Sequence, residues 1–263
     1  MKRVKPKKHL GQHFLTDERI ATDIAEAITL HNGVNRVLEI GPGTGILTRA
    51  LQKRNFAELK IIEIDLESIA FLHENHPEIS AHIIPGDFLK IPLEPIFSGE
   101  KYIVAGNFPY NISSQILFRL FENRELIPEL VGMFQREVAR RIASGPGSKE
   151  YGILSVLLQI YYDVDYLFTV DEDVFDPPPK VKSGVIRLVR NERKGLPFSD
   201  DFMKMVVKTA FNQRRKTLRN SLKGLLAGET LPDMQDTLQL RPEQLGPESF
   251  ITLAIALHKK LNP

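Results

Sequence analysis

The sequence predicts an α/β doubly wound domain followed by a small helical domain. Short apolar, β-branched runs recur at Arg36–Ile40, Leu59–Ile64, Ala81–Pro85, Lys101–Ala105 and Leu130–Phe134, each the length of a buried strand. The first four end near residues 40, 64, 85 and 105. A repeat of roughly 20–25 residues is what strand, loop, helix and loop consume in a parallel βα unit. From about Phe198 onward the pattern turns helical and β-poor, with Phe202, Met205, Val206, Thr209 and Ala210 on one face.

The elements follow in chain order. The first eight residues, Met1 to Lys8, are basic and lead into no apolar stretch, so they do not read as a secretory signal. Thr16 is expected to cap a helix whose first turn holds Asp17 and Glu18 and whose inner face is Ile20, Ile24 and Ile28. Further helices are predicted over Gly45–Lys53, Leu66–Asn75 and Ser113–Phe121, the last with Ile116, Leu117, Leu120 and Phe121 at helical spacing. Ser144-Gly145-Pro146-Gly147-Ser148 is a loop by composition. Tyr151–Ile160 reads as a helix, and Tyr161–Thr169 and Ser183–Val189 as two more strands. Between those strands, Phe175 to Lys180 carries successive prolines and reads as an extended, rigid connector rather than a strand. Residues 1–190 are expected to form the α/β domain and residues 198–263 the helical one, joined through Asn191–Pro197.

At 263 residues the chain can bury a full core. Its 42% hydrophobic and 26% charged content argues against disorder. No apolar run approaches the roughly 18 residues of a membrane span, so a cytosolic protein is expected. The absence of cysteine excludes disulfides, thiolate zinc sites and cysteine nucleophiles. A net charge of +2 does not announce a nucleic-acid binder, but its distribution says more. Residues 1–10 carry Lys2, Arg3, Lys5, Lys7 and Lys8, and residues 202–227 carry Lys204, Lys208, Arg214, Arg215, Lys216, Arg219 and Lys223, both without an acid. The two stretches would form one phosphate-binding surface if the fold brings them together. The alternative is a solvated tail and a solvated helix face.

Candidate chemistry sits at the strand ends, where open α/β sheets bind ligands. The turn Glu39-Ile40-Gly41-Pro42-Gly43-Thr44-Gly45 lets backbone approach a ligand closely. Glu63, ending the second strand, can accept both hydroxyls of a ribose. Asp87, after the third, can accept from an adenine amino group, with Phe88 beside it to lie against the ring. Such a glycine turn also occurs in dinucleotide enzymes or simply as a tight strand-to-helix turn. Here the spacing G-P-G-T-G, not G-x-G-x-x-G, favours S-adenosylmethionine over a nicotinamide cofactor.

After the fourth strand comes Asn107-Phe108-Pro109-Tyr110. Adenine N6 is a poor nucleophile because its lone pair is delocalised into the ring, and hydrogen-bond acceptors localise it. The Asn107 side-chain oxygen and the Phe108 carbonyl can each take an N6–H bond. Pro109 stiffens the turn, and Tyr110 offers a stacking surface for the base. The alternative is a strand-terminating turn with a half-buried tyrosine. His73 and His76 lack a third ligand and read as surface residues, so no metal is expected.

With those residues in place, nearly the whole chain resembles the small-subunit ribosomal RNA adenine N6-dimethyltransferases. The likeness is carried also by Leu10-Gly11-Gln12-His13-Phe14-Leu15, by Gln135 to Arg141, by Phe175 to Val181 and by Ala210 to Asn220. It implies a Rossmann-like S-adenosylmethionine-dependent domain with a small all-helical C-terminal domain. It further implies four methyl transfers to two adjacent adenosines of the 3′-terminal hairpin, in rRNA of the assembling small subunit, by a monomer with no membrane role. Cofactor contacts are implied at His13, Leu15, Gly41, Glu63, Asp87 and Asn107. Phe175 is implied to stack on the target adenine opposite Tyr110, the alternative being a core Phe anchoring the proline-rich loop. Arg136, Arg140, Arg141, Arg214, Arg215, Lys216 and Arg219 are expected to reach rRNA phosphates. The family often has Asn where this chain has His13, which brings a titratable ring to the methionine end of the cofactor, and often Leu where it has Phe108. A related large-subunit methyltransferase conferring macrolide resistance is the nearest rival, against which the segment Arg214 to Asn220 argues. A non-catalytic assembly factor is the other, against which the intact Asn107-Phe108-Pro109-Tyr110 argues.

Overall fold

The computed structural model describes residues 4–226, 228 and 230–261. Lys2 and Arg3 of the basic N-terminal stretch lie outside the described residues. In chain order the elements are β1 (Phe14–Leu15), α1 (Glu18–Glu26), β2 (Arg36–Ile40), α2 (Ile46–Gln52), β3 (Glu58–Glu63), α3 (Leu66–Asn75), β4 (Ile83–Pro85), β5 (Ile103–Asn107), α4 (Ser113–Glu122), β6 (Glu129–Gln135), α5 (Arg136–Ala143), α6 (Ile153–Tyr161), β7 (Tyr162–Val170), β8 (Phe175–Asp176), β9 (Ser183–Arg190), α7 (Asp200–Asn212), α8 (Leu218–Ser221), α9 (Lys223–Leu226), α10 (Gln235–Gln239) and α11 (Pro247–Leu261).

The main sheet runs β4-β3-β2-β5-β6-β9-β7. Strands β2 to β6 are parallel to their neighbours, whereas β9 returns antiparallel to β6. Strand order reverses between β2 and β5, and the carboxyl ends on either side of that point open a crevice. The central strands are apolar on both faces because helices cover both, and Val37, Leu38, Ile61, Ile103, Val104, Leu130 and Val131 are fully buried.

The chain divides into two compact units. One comprises Met1–Arg140 with Asp163–Arg190 and contains the sheet. The other comprises Arg141–Tyr162 with Asn191–Pro263 and is helical among its described residues. This corrects the division expected between residues 190 and 198, because α6 belongs to the second unit. Leu154, Val156, Leu157, Leu158 and Ile160 leave α6 with no polar stripe to show to water, and it packs on α7 and α11.

Two local expectations are also corrected. Asp17, not Thr16, caps α1, its carboxylate accepting the Arg19 N–H at 2.8 Å. Thr16 instead gives its hydroxyl and its N–H to the Val174 carbonyl, at 2.9 and 2.8 Å. The proline-rich connector starts as strand, since Phe175 and Asp176 pair antiparallel with Leu15 and Phe14.

Candidate functional site

A cavity of about 270 Å³ lies at the carboxyl ends of β2, β3 and β5 and is walled on its other side by residues 9–15. His13, Leu15, Gly41, Gly43, Glu63, Asp87, Phe88, Asn107, Phe108, Pro109 and Tyr110 all line it. Gly41 and Gly43 hold φ of +67° and +58°, where a Cβ is strained. A Cβ at Gly43 would lie 2.7 Å from the Phe14 ring, whereas one at Gly41 would meet nothing within 4 Å. The backbone at Gly41 is therefore bare toward the cavity, leaving the space a close-lying ligand needs.

Glu63, the last residue of β3, is buried. Its Oε1 accepts the N–H groups of Ile64 and Asp65 at 2.8 and 2.9 Å, and its Oε2 that of Gly43 at 3.3 Å. Burial pushes this carboxyl above its ordinary range, against the downward pull of those N–H bonds. The bonds aim it at the glycine turn and leave one lone-pair site, on Oε2, for a ligand hydroxyl. Asp87 is oriented by the Leu89 N–H at 2.9 Å. Phe88 is 4% exposed, and the Arg119 guanidinium lies 5.5 Å from its ring centroid.

On the acceptor side, Asn107 ends β5 and gives its Nδ2–H to the His13 carbonyl at 2.9 Å. No donor among the described residues reaches its Oδ1, which is left as an acceptor at the cavity. The Phe108 N–H is spent on the Met133 carbonyl at 3.0 Å. Its ring is buried 4.6 Å from that of Phe134, over two glycines that admit it. A Cβ at Gly106 would come within 2.8 Å of that ring, and one at Gly132 within 2.5 Å of the Gly106 carbonyl. The ring of residue 108 is thus packed onto the sheet and anchors the turn that follows β5. Tyr110 stacks on the His13 imidazole, centroids 5.4 Å apart, and its hydroxyl lies 2.5 Å from Ser183 Oγ.

Phe175 is not brought to this site. It is 4% exposed, does not line the cavity, and belongs to the apolar core with Leu15, Val170 and Val185. It pairs opposite Leu15, a packing that matches the alternative reading of this residue, a core Phe anchoring the proline-rich loop. His76 also departs from expectation. Unlike His73, it is half-buried, its ring 3.2 Å from where a Cβ at Gly45 would stand.

Arg136 and Arg140 fall in the sheet-containing unit, and Arg141, Arg214, Arg215, Lys216 and Arg219 in the helical one. Arg214 gives Nη2–H to the Ser148 carbonyl at 3.1 Å, and Arg219 bonds Gln235. Arg215 and Lys216 are exposed on the turn after α7 rather than on a helix face. Lys7 is not part of a solvated tail, since its Nζ lies 2.5 Å from Asp65 Oδ1 and 3.2 Å from Glu67 Oε1. Burial works to raise the Asp65 carboxyl, but Lys7 and Gln12 outweigh it and hold the group below its ordinary range.

Glu39 is a cavity residue that sequence reasoning left unassigned. It is 1% exposed, and its Oε2 accepts the Thr48 hydroxyl at 2.6 Å. Burial pushes its carboxyl up to about 8, with Thr48 pulling down and Glu63 adding to the rise. The available signal was a carboxylate inside an apolar strand, costly unless it has work at the strand end.

The sequence model of a family described as ribosomal RNA adenine dimethylase matches residues 3–258. Ribosomal RNA small subunit methyltransferase A of Porphyromonas gingivalis is 56% identical over 260 residues, covering 98% of this chain and 100% of the relative. Its namesake in Bacteroides thetaiotaomicron is 54% identical over 262 residues, covering 99% and 97%. Among solved structures, a dimethyladenosine transferase from Plasmodium falciparum aligns with a TM-score of 0.78 at 25% identity, over 94% of this chain and 98% of that one. The 23S rRNA methyltransferase ErmE aligns with a TM-score of 0.62 at 26% identity, over 95% and 100%.

Proposed function

Because the chain belongs to the ribosomal RNA adenine dimethylase family, we propose that it dimethylates N6 of two adjacent adenosines in the 3′-terminal hairpin of small-subunit (16S) rRNA. S-adenosylmethionine is the cofactor, and when bound it supplies an electrophilic methyl on a sulfonium. The glycine turn at Gly41 and Gly43, with Glu63, Asp87, Phe88, His13 and Leu15, would hold it. The observation that carries the reading is the fixed amide of Asn107. With its nitrogen committed to the His13 carbonyl, its oxygen faces the cavity as an acceptor for an N6–H. A second N6–H would go to the Phe108 carbonyl, and the two bonds draw the nitrogen toward tetrahedral geometry. No strong base is required, because the N6 proton becomes acidic once nitrogen carries the methyl, and it leaves to water.

The enzyme acts as a monomer in the cytoplasm on rRNA within the assembling small subunit. Arg136, Arg140, Arg141, Arg214, Arg215, Lys216 and Arg219 supply phosphate contacts, and the helical unit provides much of the ribosome-facing surface. The identity of the small-subunit relatives, about twice that of the 23S enzyme, supports the small-subunit target.

The test is mass spectrometry of nucleosides from small- and large-subunit rRNA after incubation with the protein and labelled donor. Labelled dimethyladenosine from the small subunit is expected. Label confined to large-subunit rRNA, or none in adenosine, overturns the proposal.

A further inference from the structure

We propose that Ser183 is a positioning residue that keeps the Tyr110 ring from swinging away from His13, so that its other face alone is held ready for the target adenine. This rests on the reading of the cavity as the adenine site. Ser183 is fully buried at the first position of β9, opposite Gln135, the last residue of β6. Strand β6 lies beside β5, which ends in Asn107. The hydroxyl of Ser183 is thus carried by the sheet itself to 2.5 Å from the Tyr110 hydroxyl. A ring fixed at its backbone end by the turn after Pro109 and at its far end by this bond cannot swing about its Cα–Cβ bond without losing a buried hydrogen bond, while the His13 stack sets its plane.

The opposite side of the arrangement is closed by His13. Its Nδ1–H donates to the Pro177 carbonyl at 2.7 Å, which holds the imidazole against Tyr110 with planes 28° apart. Centroids 5.4 Å apart leave no room for a base between the rings, since a sandwich needs about 7 Å, twice the ~3.5 Å contact distance. A base can stack only on the remaining face, and Ser183 holds the ring that carries it in place. The residue has no direct contact with reacting atoms and acts through Tyr110.

The experiment is a double-mutant cycle on the full chain, with Ser183→Ala, Tyr110→Phe and the double variant, measuring kcat and KM on small-subunit particles and the Kd of S-adenosylmethionine. Each single variant is expected to lose about tenfold in kcat/KM, the double variant no more than either, with cofactor Kd unchanged. Losses that multiply in the double variant, or a cofactor affinity that falls along with transfer, overturn the inference. If melting shows Ser183→Ala unfolded, Ser183→Cys decides. It keeps the size but hydrogen-bonds weakly, so a tenfold loss supports the role and a wild-type kcat/KM overturns it. Wild-type protein without transfer to adenine N6 would instead sink the functional reading on which this rests.

Discussion

Replacing Glu39 with Gln should abolish most of a fall in stability between about pH 5 and pH 8. The carboxyl is 1% exposed in β2, has Thr48 as its hydrogen-bond donor, and titrates near 8 in the folded chain, pushed there by burial. In the unfolded chain it titrates near the ordinary value of about 4.3. Between those two pH values the folded state holds one proton more than the unfolded state. Stability is therefore greatest at low pH and declines as pH rises, by about 1.4 kcal/mol per unit, until the folded group itself ionises near 8. From the lower value to pH 7 the loss is of order 3 kcal/mol. Gln accepts the same Thr48 hydroxyl and never ionises. Urea unfolding of both proteins at pH 5, 6, 7 and 8 measures the effect. The difference in unfolding free energy should widen in the variant's favour with each unit of pH. Glu63 is raised in the same direction, but it is present in both proteins and largely cancels in the difference. Curves that run parallel would refute the assignment of a buried proton to Glu39. Because Glu39 lines the cavity, the affinity for a cationic cofactor should also rise between pH 6 and 8, and more steeply in wild type than in the variant, which keeps only Glu63.

Asn107→Ala should bind S-adenosylmethionine normally and lose about 10²–10³-fold in kcat; wild-type turnover would remove Asn107 from the mechanism. Arg215→Ala with Lys216→Ala should lower the slope of log affinity against log salt for rRNA by about 1.4–1.8, leaving cofactor affinity intact, and an unchanged slope would move the RNA surface elsewhere. Arg214 is left out of that pair because its guanidinium holds the Ser148 carbonyl. Gly132→Ala should cost about 1–3 kcal/mol in urea unfolding, since its methyl would press on the Gly106 carbonyl and the Phe108 ring; a stable, fully active variant would show that the packing of that ring yields.

The parallel sheet was legible because strands buried on both faces must be apolar throughout, and that leaves a mark independent of what they pack against. The cavity residues were legible for a related reason. In this topology a polar residue at a strand's carboxyl end has little to do but meet a ligand or cap a helix, and Glu63, Asp87 and Asn107 all stand there. Glu39 escaped notice because it lies inside the strand, where a lone carboxylate reads as an interruption of the apolar run. Its role follows only from the Thr48 hydroxyl, brought to it by α2, and from the cavity beyond the turn.

What was not legible depends on pairings across long stretches of chain. Lys7 meets Asp65 across 58 residues, and Tyr110 meets Ser183 across 73. Neither partner carries a local pattern that names the other. Phe175 shows the limit most sharply. An aromatic residue before a proline run fits a stacking face and a core anchor equally well, and nothing within its own segment separates the two. The deciding fact is the register of β8 against β1, which sets Phe175 opposite Leu15. A shift of one residue along that short ladder would exchange Phe175 with Asp176 and turn the ring to the other face. The placement of Phe175 therefore hangs on a two-residue strand, whereas Tyr110 is held by a hydrogen bond from a seven-stranded sheet, through Ser183.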